Sequence, residues 1–157
     1  ARELRRRQDD HPDAAPCWAR LSGPEGGGRL AALARQIGTF HGRRLGILFS
    51  PDAGVEFWVQ RLLGEGGTRG DEADNIPWHY DKDEALFRAT GEMRHPAVAT
   101  VTYLSDGGAP TVVFCRGDTV VSFPRRGKHL AFAGHLLHGC PRGMDLHAPG
   151  DGNGGGG

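Results

Sequence analysis

The chain has 157 residues and a mass of 16.8 kDa, which fits one domain with a buried core. Its 19 Lys and Arg residues balance 19 Asp and Glu residues, so the formal net charge is zero and no nucleic-acid partner is indicated. A mean hydropathy of −0.46 and the lack of an apolar run of about 20 residues predict no membrane partner.

The cysteines indicate a reducing environment. Cys17, Cys115 and Cys140 are widely spaced, odd in number and free of any C-x-x-C pattern. This argues against a disulfide framework or a structural zinc site. The basic start, "RELRRRQ", is not followed by an apolar segment, so it does not resemble a secretory signal. We therefore expect an intracellular, cytoplasmic protein.

The first third of the chain predicts one helix and two strands. Residues 1–27 are polar and rich in Gly and Pro, and we expect a poorly ordered N-terminal segment there. Residues 28–38 carry apolar side chains at helical spacing, which predicts an amphipathic helix with Gly38 as its C-cap. The segments "RRLGILFS" and "VEFWVQRLL", joined by the turn sequence "PDAG", favour two strands.

From Ile76 onward, short β-prone segments alternate with turn sequences. "IPWHYD" predicts a strand, and "KDEALFRATGEMR" predicts a helical or irregular excursion. Five further strands are then expected, in "AVATVTYLS", "TVVFC", "TVVSFP", "HLAFAG" and "LLHGCP". This pattern is typical of a mainly β fold, and we expect a double-stranded β-helix (jelly roll) with one or two flanking helices. The predicted domain covers residues 28–142 and precedes a Gly-rich tail over residues 143–157.

Two polar residues in "NIPWHYDKDE" suggest a metal site. His79 and Asp81 are two positions apart, so a strand places both on one face, as half of a 2-His-1-carboxylate triad. An H-x-D pair alone is a weak signal, since a hydrogen-bonded pair at a strand edge gives the same pattern. The best third ligand is His138, which a barrel would bring back from 138 − 79 = 59 residues away. His135 is the alternative, although it could lie in a turn. Two other histidines flank strands and are expected at surface or turn positions: His95 and His129.

The order of several short motifs resembles the core of the 2-oxoglutarate/Fe(II)-dependent dioxygenases, in the prolyl-hydroxylase-like branch. The resemblance covers about residues 75–142 and rests on the order and spacing of the pieces, since no single piece is specific. After the H-x-D pair, the matching residues are Tyr103-Leu104-Ser105, Gly107-Gly108 with Thr111, Pro124 with Gly127 and Phe132, and finally His138.

The resemblance implies a jelly roll, Fe(II) as cofactor and 2-oxoglutarate as cosubstrate. It assigns His79, Asp81 and His138 to the iron. It also places Tyr103 on a strand that lines the cosubstrate pocket, where the phenol either contacts 2-oxoglutarate or only packs in the barrel. The implied reaction is hydroxylation or demethylation of a small molecule or a protein side chain.

One part of the family pattern is not matched. Family members bind the far carboxylate of 2-oxoglutarate with an Arg or Lys several residues past the distal histidine. Arg142 is the only basic candidate after His138, and it comes early, in a Pro/Gly-rich turn. We therefore expect a truncated domain whose anchor lies beyond Gly157 and which turns over 2-oxoglutarate weakly or not at all. Two alternatives stay open: a cupin-like metalloprotein with other chemistry, and a non-catalytic jelly-roll interaction module with a relic metal site.

Overall fold

The structure is a computed structural model that describes residues 17–22, 28–60 and 76–141. The chain divides into two compact units, Ala1–Gln60 and Arg61–Gly157. The elements in chain order are β1 (Cys17–Arg20), α1 (Gly28–Arg44), β2 (Gly54–Phe57), β3 (Ile76–His79), α2 (Glu84–Thr90), β4 (Ala99–Thr102), β5 (Thr111–Cys115), β6 (Asp118–Ser122), β7 (His129–Phe132) and β8 (His138–Cys140).

In the first unit, a helix packs on a two-stranded antiparallel sheet. β1 and β2 pair along their whole length. α1 turns small residues towards its neighbours: Ala31 and Ala34 are buried, and a Cβ on Gly38 would collide with the side chains of Val55 and Leu21. This face of the helix therefore needs small residues for close packing.

The helix is longer than the sequence predicted, because Gly38 serves packing rather than capping. α1 ends instead in a Schellman motif around Gly46, whose φ of 66° is in the left-handed region. The N–H of Gly46 donates to the carbonyl of Arg43 at 3.2 Å, and the N–H of Ile47 donates to that of Gly42 at 2.9 Å. The predicted helix end at Gly38 was wrong.

The predicted strand over "RRLGILFS" is also not observed. Arg43 and Arg44 complete α1, and residues 47–50 have no regular structure. The Phe49 ring covers Gly42, where a Cβ would collide with it. Phe49 thus packs on the helix, whereas Leu48 is 96% exposed. Within residues 1–27, where poor order was expected, the described part contains β1.

The second unit is built from antiparallel strand pairs. Four strands form one sheet in the order β3-β8-β5-β6, and β4 pairs with β7. β5 and β6 form a hairpin, whereas β8 lies between β3 and β5, two strands far from it in sequence. The topology therefore brings an early strand and the last described strand side by side.

β5 is the buried centre of the larger sheet. Val112 and Val113 point to opposite faces, and their exposed fractions are only 1% and 2%. The hairpin to β6 turns through Arg116 and Gly117, with φ values of 44° and 94°. Two consecutive positive φ values are typical of a type I′ turn, whose twist suits a tight hairpin.

The excursion between β3 and β4 contains a short capped helix. The Asp83 side chain accepts from the N–H of Leu86 at 2.9 Å at the start of α2, and Gly91 ends the helix with φ 76°. The N–H of Asp83 also donates to the carbonyl of Arg94 at 2.9 Å, which closes the base of the excursion. The residues just before and just after α2 therefore lie side by side.

The described residues form a mainly β structure with antiparallel sheets and two helices, which confirms the predicted fold class at that level. Neither of these helices combines the length and apolar character needed to cross a membrane.

The contact between Gly134 and Pro96 gives a test of this packing. A Cβ on Gly134 would overlap the backbone carbonyl of Pro96, which cannot swing aside as a side-chain tip can. We expect Gly134→Ala to lower the free energy of unfolding by about 1–3 kcal/mol in denaturant titrations. Gly107→Ala is the matched control, since a Cβ there meets nothing within 4 Å, and its change should stay within about 0.5 kcal/mol. If Gly134→Ala and Gly107→Ala lower the free energy of unfolding equally, the close contact between Gly134 and Pro96 is contradicted.

Candidate metal centre

Three side chains converge at the end of β3. His79 and His138 are register partners in the β3–β8 pair, and their ring centroids are 4.3 Å apart. One oxygen of Asp81, Oδ1, lies 3.5 Å from Nε2 of His79 and 3.6 Å from Nε2 of His138. The three ligand atoms are all within 4.8 Å of one another, so the group could hold one metal ion.

The two side chains of the predicted H-x-D pair lie on the same side, next to an irregularity in the pairing of β3 with β8. β3 ends at His79, and its pairing with β8 shifts in register between Ile76 and His79. Such irregularities commonly re-aim side chains next to functional sites. Trp78 points to the opposite face, where its ring lies 5.0 Å from that of Phe114. Asp81 follows the strand end and still lies on the side of His79.

Both histidine rings are oriented by the carbonyl two residues earlier. Nδ1 of His79 lies 2.9 Å from the carbonyl of Pro77, and Nδ1 of His138 lies 2.9 Å from that of Leu136. Because a carbonyl oxygen can only accept, each Nδ1 must carry the hydrogen and donate it. In each neutral ring, Nε2 then carries a free lone pair. Both Nε2 atoms face Asp81. This arrangement is typical of metal-binding histidines.

The burial and charge of the three side chains differ. His138 is 9% exposed, Asp81 21% and His79 36%, so the site is open on the side of His79. The hydrogen bond with Asp81 raises the pKa of His79 above its ordinary value of 6.5, and partial burial opposes this rise. A bound cation would take the place of this proton between His79 and Asp81.

The donor set fits a first-row divalent cation. Two imidazole nitrogens and one carboxylate oxygen on one side of an ion leave further coordination positions open. Ligands at right angles, each about 2.1 Å from one ion, are separated by about 3.0 Å. The distances from Asp81 to the two rings, 3.5 and 3.6 Å, are close to this value. Small side-chain adjustments would therefore bring all three ligands to one ion.

His95 supports the centre in a way that the sequence did not indicate. Its Nδ1 lies 2.6 Å from the backbone carbonyl of Asp81, so Nδ1–H donates there. Its ring also lies 6.0 Å from the Tyr80 ring. The partners are 14 residues apart, and their contact depends on how the α2 excursion closes. A histidine between two predicted elements gives no signal of such a contact.

Neither His135 nor Tyr103 is one of the three ligands. His135 is exposed in the turn before β8 and is not a member of the cluster. Tyr103 is buried, and its hydroxyl lies 2.8 Å from the carbonyl of Ser122 and 2.9 Å from Oγ1 of Thr111. Arg142 lies outside the described residues.

Comparisons with protein-family models, with curated proteins and with solved structures found no match to this chain.

The raised pKa of His79 gives a pH prediction. Because a proton and a cation compete for Nε2, metal affinity should fall as the pH falls through the raised pKa, beginning above pH 6.5. Calorimetric titration with Co²⁺ from about pH 8 to about pH 6 measures this. His135→Ala, at an exposed histidine outside the cluster, should show the same profile as the unmodified chain. A constant affinity over this range would contradict His79 as a ligand.

The contact from His95 to Asp81 gives a second prediction. Loss of a group that orients a metal ligand typically costs about 10–100-fold in affinity. We therefore expect His95→Ala to weaken Co²⁺ binding by about this factor, and His95→Asn, which retains a donor, to weaken it less. His135→Ala again serves as the control. If His95→Ala and His135→Ala bind Co²⁺ equally well, the contact does not support the centre.

Proposed function

We propose that this chain is an Fe(II)- and 2-oxoglutarate-dependent oxygenase that hydroxylates, or demethylates through hydroxylation, a small molecule or a protein side chain. The observation that carries the proposal is the cluster of His79, Asp81 and His138, whose ligand atoms all lie within 4.8 Å of one another. The sequence resemblance independently names the same three residues.

The strand arrangement supports the jelly roll that the proposal requires. β3, β5, β6 and β8 lie in one sheet, while β4 and β7 pair separately, so the chain passes more than once between two sets of strands. Several contacts join the sets, among them the following two. The Tyr103 hydroxyl, just after β4, lies 2.8 Å from the carbonyl of Ser122 in β6, and the Phe132 ring of β7 lies 4.8 Å from the His138 ring of β8. A jelly roll consists of two sheets in contact, so these contacts support the proposed fold.

In the proposed site, Nε2 of His79, Nε2 of His138 and Oδ1 of Asp81 hold the iron. When bound, Fe(II) supplies the redox chemistry that couples O2 to 2-oxoglutarate. The overall reaction converts 2-oxoglutarate, O2 and a substrate C–H into succinate, CO2 and C–OH, with one oxygen atom in succinate and the other in the product. Because His79 is the most exposed ligand and His138 the least, the substrate would approach from the side of His79.

Several polar side chains are buried on the same face of the sheet as His138, and we infer that the rest of the cosubstrate would be directed towards them. His138 and Cys140 share a face of β8, and Thr111 and Ser122 are paired on the adjoining strands. Oγ1 of Thr111 lies 3.8 Å from Sγ of Cys140 and 2.9 Å from the Tyr103 hydroxyl. Two strand positions separate this region from His138, a distance of about 7 Å. That span suits a five-carbon diacid whose keto acid end is at the metal.

The proposal is tested by cosubstrate binding and turnover in the 157-residue chain. We expect 2-oxoglutarate to change the visible absorption of the Fe(II)-loaded protein without O2, and succinate to form only slowly once O2 is admitted, because Arg142 is a poor match to the family's anchor. His138→Ala should abolish both effects, whereas His135→Ala should retain them. If His138→Ala and His135→Ala lose the spectral response and succinate formation equally, His138 is not the specific ligand.

Two further outcomes would contradict the proposal. A chain that binds the metal but whose spectrum does not respond to 2-oxoglutarate would favour cupin-like chemistry. A chain that binds no divalent metal would favour an interaction module. Metal binding and the spectral response are therefore measured before turnover.

A further inference from the structure

Helix α1 carries positive charges without negative ones. Between Glu25 and Asp52 the sequence contains no acidic residue. Four arginines lie on the helix within this stretch: Arg29, Arg35, Arg43 and Arg44. The zero net charge of the whole chain thus conceals a local excess of cations on one helix.

These arginines line one groove. An open groove of about 1050 Å³ runs along α1, and all four arginines border it. Its other described lining residues are uncharged: Gly28, Ala32, Gln36, Thr39 and Phe40. At about 100° per residue, these positions lie on the side of the helix away from Ala31, Ala34 and Gly38, which pack on the sheet. The groove therefore faces away from the core of the first unit.

The groove has a long, charged outline with an aromatic ring inside it. Arg29, Gln36 and Arg43 are seven residues apart and so follow one side of the helix. The two arginines are separated by 43 − 29 = 14 residues, a distance of about 21 Å along the axis. Phe40 lies between them and is 58% exposed. An exposed aromatic side chain within a charged rim is typical of a protein-binding surface.

Helix stability does not account for all of the arginines. Cations near a helix C-terminus are favourable, which explains Arg43 and Arg44, but a cation in the first turn, such as Arg29, is unfavourable. All three are exposed, and no carboxylate within residues 17–22, 28–60 and 76–141 forms an ion pair with them. A partner that supplies carboxylates would explain the charge at both ends of the groove.

The shape and the charge of the groove favour an acidic helix. Small residues such as Ala32 and Thr39 allow a second helix to approach to about 8–10 Å, and helices that cross at about 20° keep contact at seven-residue spacing. A second copy of α1 would instead bring arginines against arginines.

Two other anionic partners fit the groove less well. A lipid surface requires a broad apolar face on the helix, whereas Gln36, Thr39 and the arginines make this side polar. Single-stranded nucleic acid stacks its bases on several aromatic rings, and among the described lining residues only Phe40 is aromatic.

We propose that the groove of α1 is a docking site for an acidic amphipathic helix of a partner protein. Carboxylates about 21 Å apart pair with Arg29 and Arg43, and an apolar side chain between them covers Phe40. This inference concerns the first unit alone, and it depends neither on the metal centre nor on the proposed function.

Two synthetic helices test the role of charge. Each is built from Glu, Ala and Leu and is about 21 residues long, because shorter isolated helices are marginal in water. In the second peptide, Gln replaces the interfacial Glu residues. Fluorescence anisotropy measures the binding of each labelled peptide to the 157-residue chain without added metal. We expect the Glu peptide to bind at least about tenfold more tightly than the Gln peptide, and this preference to shrink with added NaCl, because salt screens exposed charges.

Variants of the chain locate the binding. Arg29→Glu and Arg43→Glu should each weaken binding of the Glu peptide by about 5–30-fold, since each change replaces an attraction between exposed charges by a repulsion. Arg29→Glu places an acidic residue in the first turn, which favours the helix, so a loss of binding there is not caused by unfolding. Arg126→Glu makes the same charge change at an exposed position of the second unit and should bind as the unmodified chain does.

Four outcomes would overturn the inference. The first is that the Glu peptide does not bind, and the second is that the Glu and Gln peptides bind equally well. The third is equal weakening in Arg29→Glu and Arg126→Glu, which would show that only the overall charge matters. The fourth is that an oligouridylate, or vesicles of phosphatidylcholine and phosphatidylserine, bind more tightly than the Glu peptide and lose this binding in Arg29→Glu.

Discussion

The pairing of β3 with β8 is the constraint on which the candidate site depends. It places His138 opposite His79, although they are 59 residues apart (138 − 79), and so it creates a centre that no local segment contains. A shift of β8 by one residue would turn His138 to the other face. Gly139 helps to exclude such a shift, since even one Cβ there would lie 2.8 Å from the carbonyl of Ile76 and 3.1 Å from the Trp78 ring. The close approach of the two strands thus requires glycine next to the ligand.

Once that register is set, backbone groups orient the ligands. The carbonyls two residues before each histidine fix the same nitrogen as donor, and His95 holds the backbone of Asp81. His95 precedes Pro96, and Pro96 packs against Gly134 in the turn that leads to His138. The short segment around His95 and Pro96 therefore contacts the chain on both sides of the centre. A displacement of this segment would affect the carboxylate and the distal histidine together.

The parts of this arrangement that follow from local periodicity were predictable. The two-residue spacing of His79 and Asp81 predicted that they lie on one side, which they do although β3 ends at His79 and Asp81 follows it. Turn sequences located the strands of the second unit. The end of α1 was not predictable from Gly38, because a helix glycine can serve either capping or packing, and the closeness of Val55 decides between them. His95 was missed for a related reason. Its contact with Asp81 joins segments that are distant in sequence, whereas sequence patterns indicate only contacts between near neighbours.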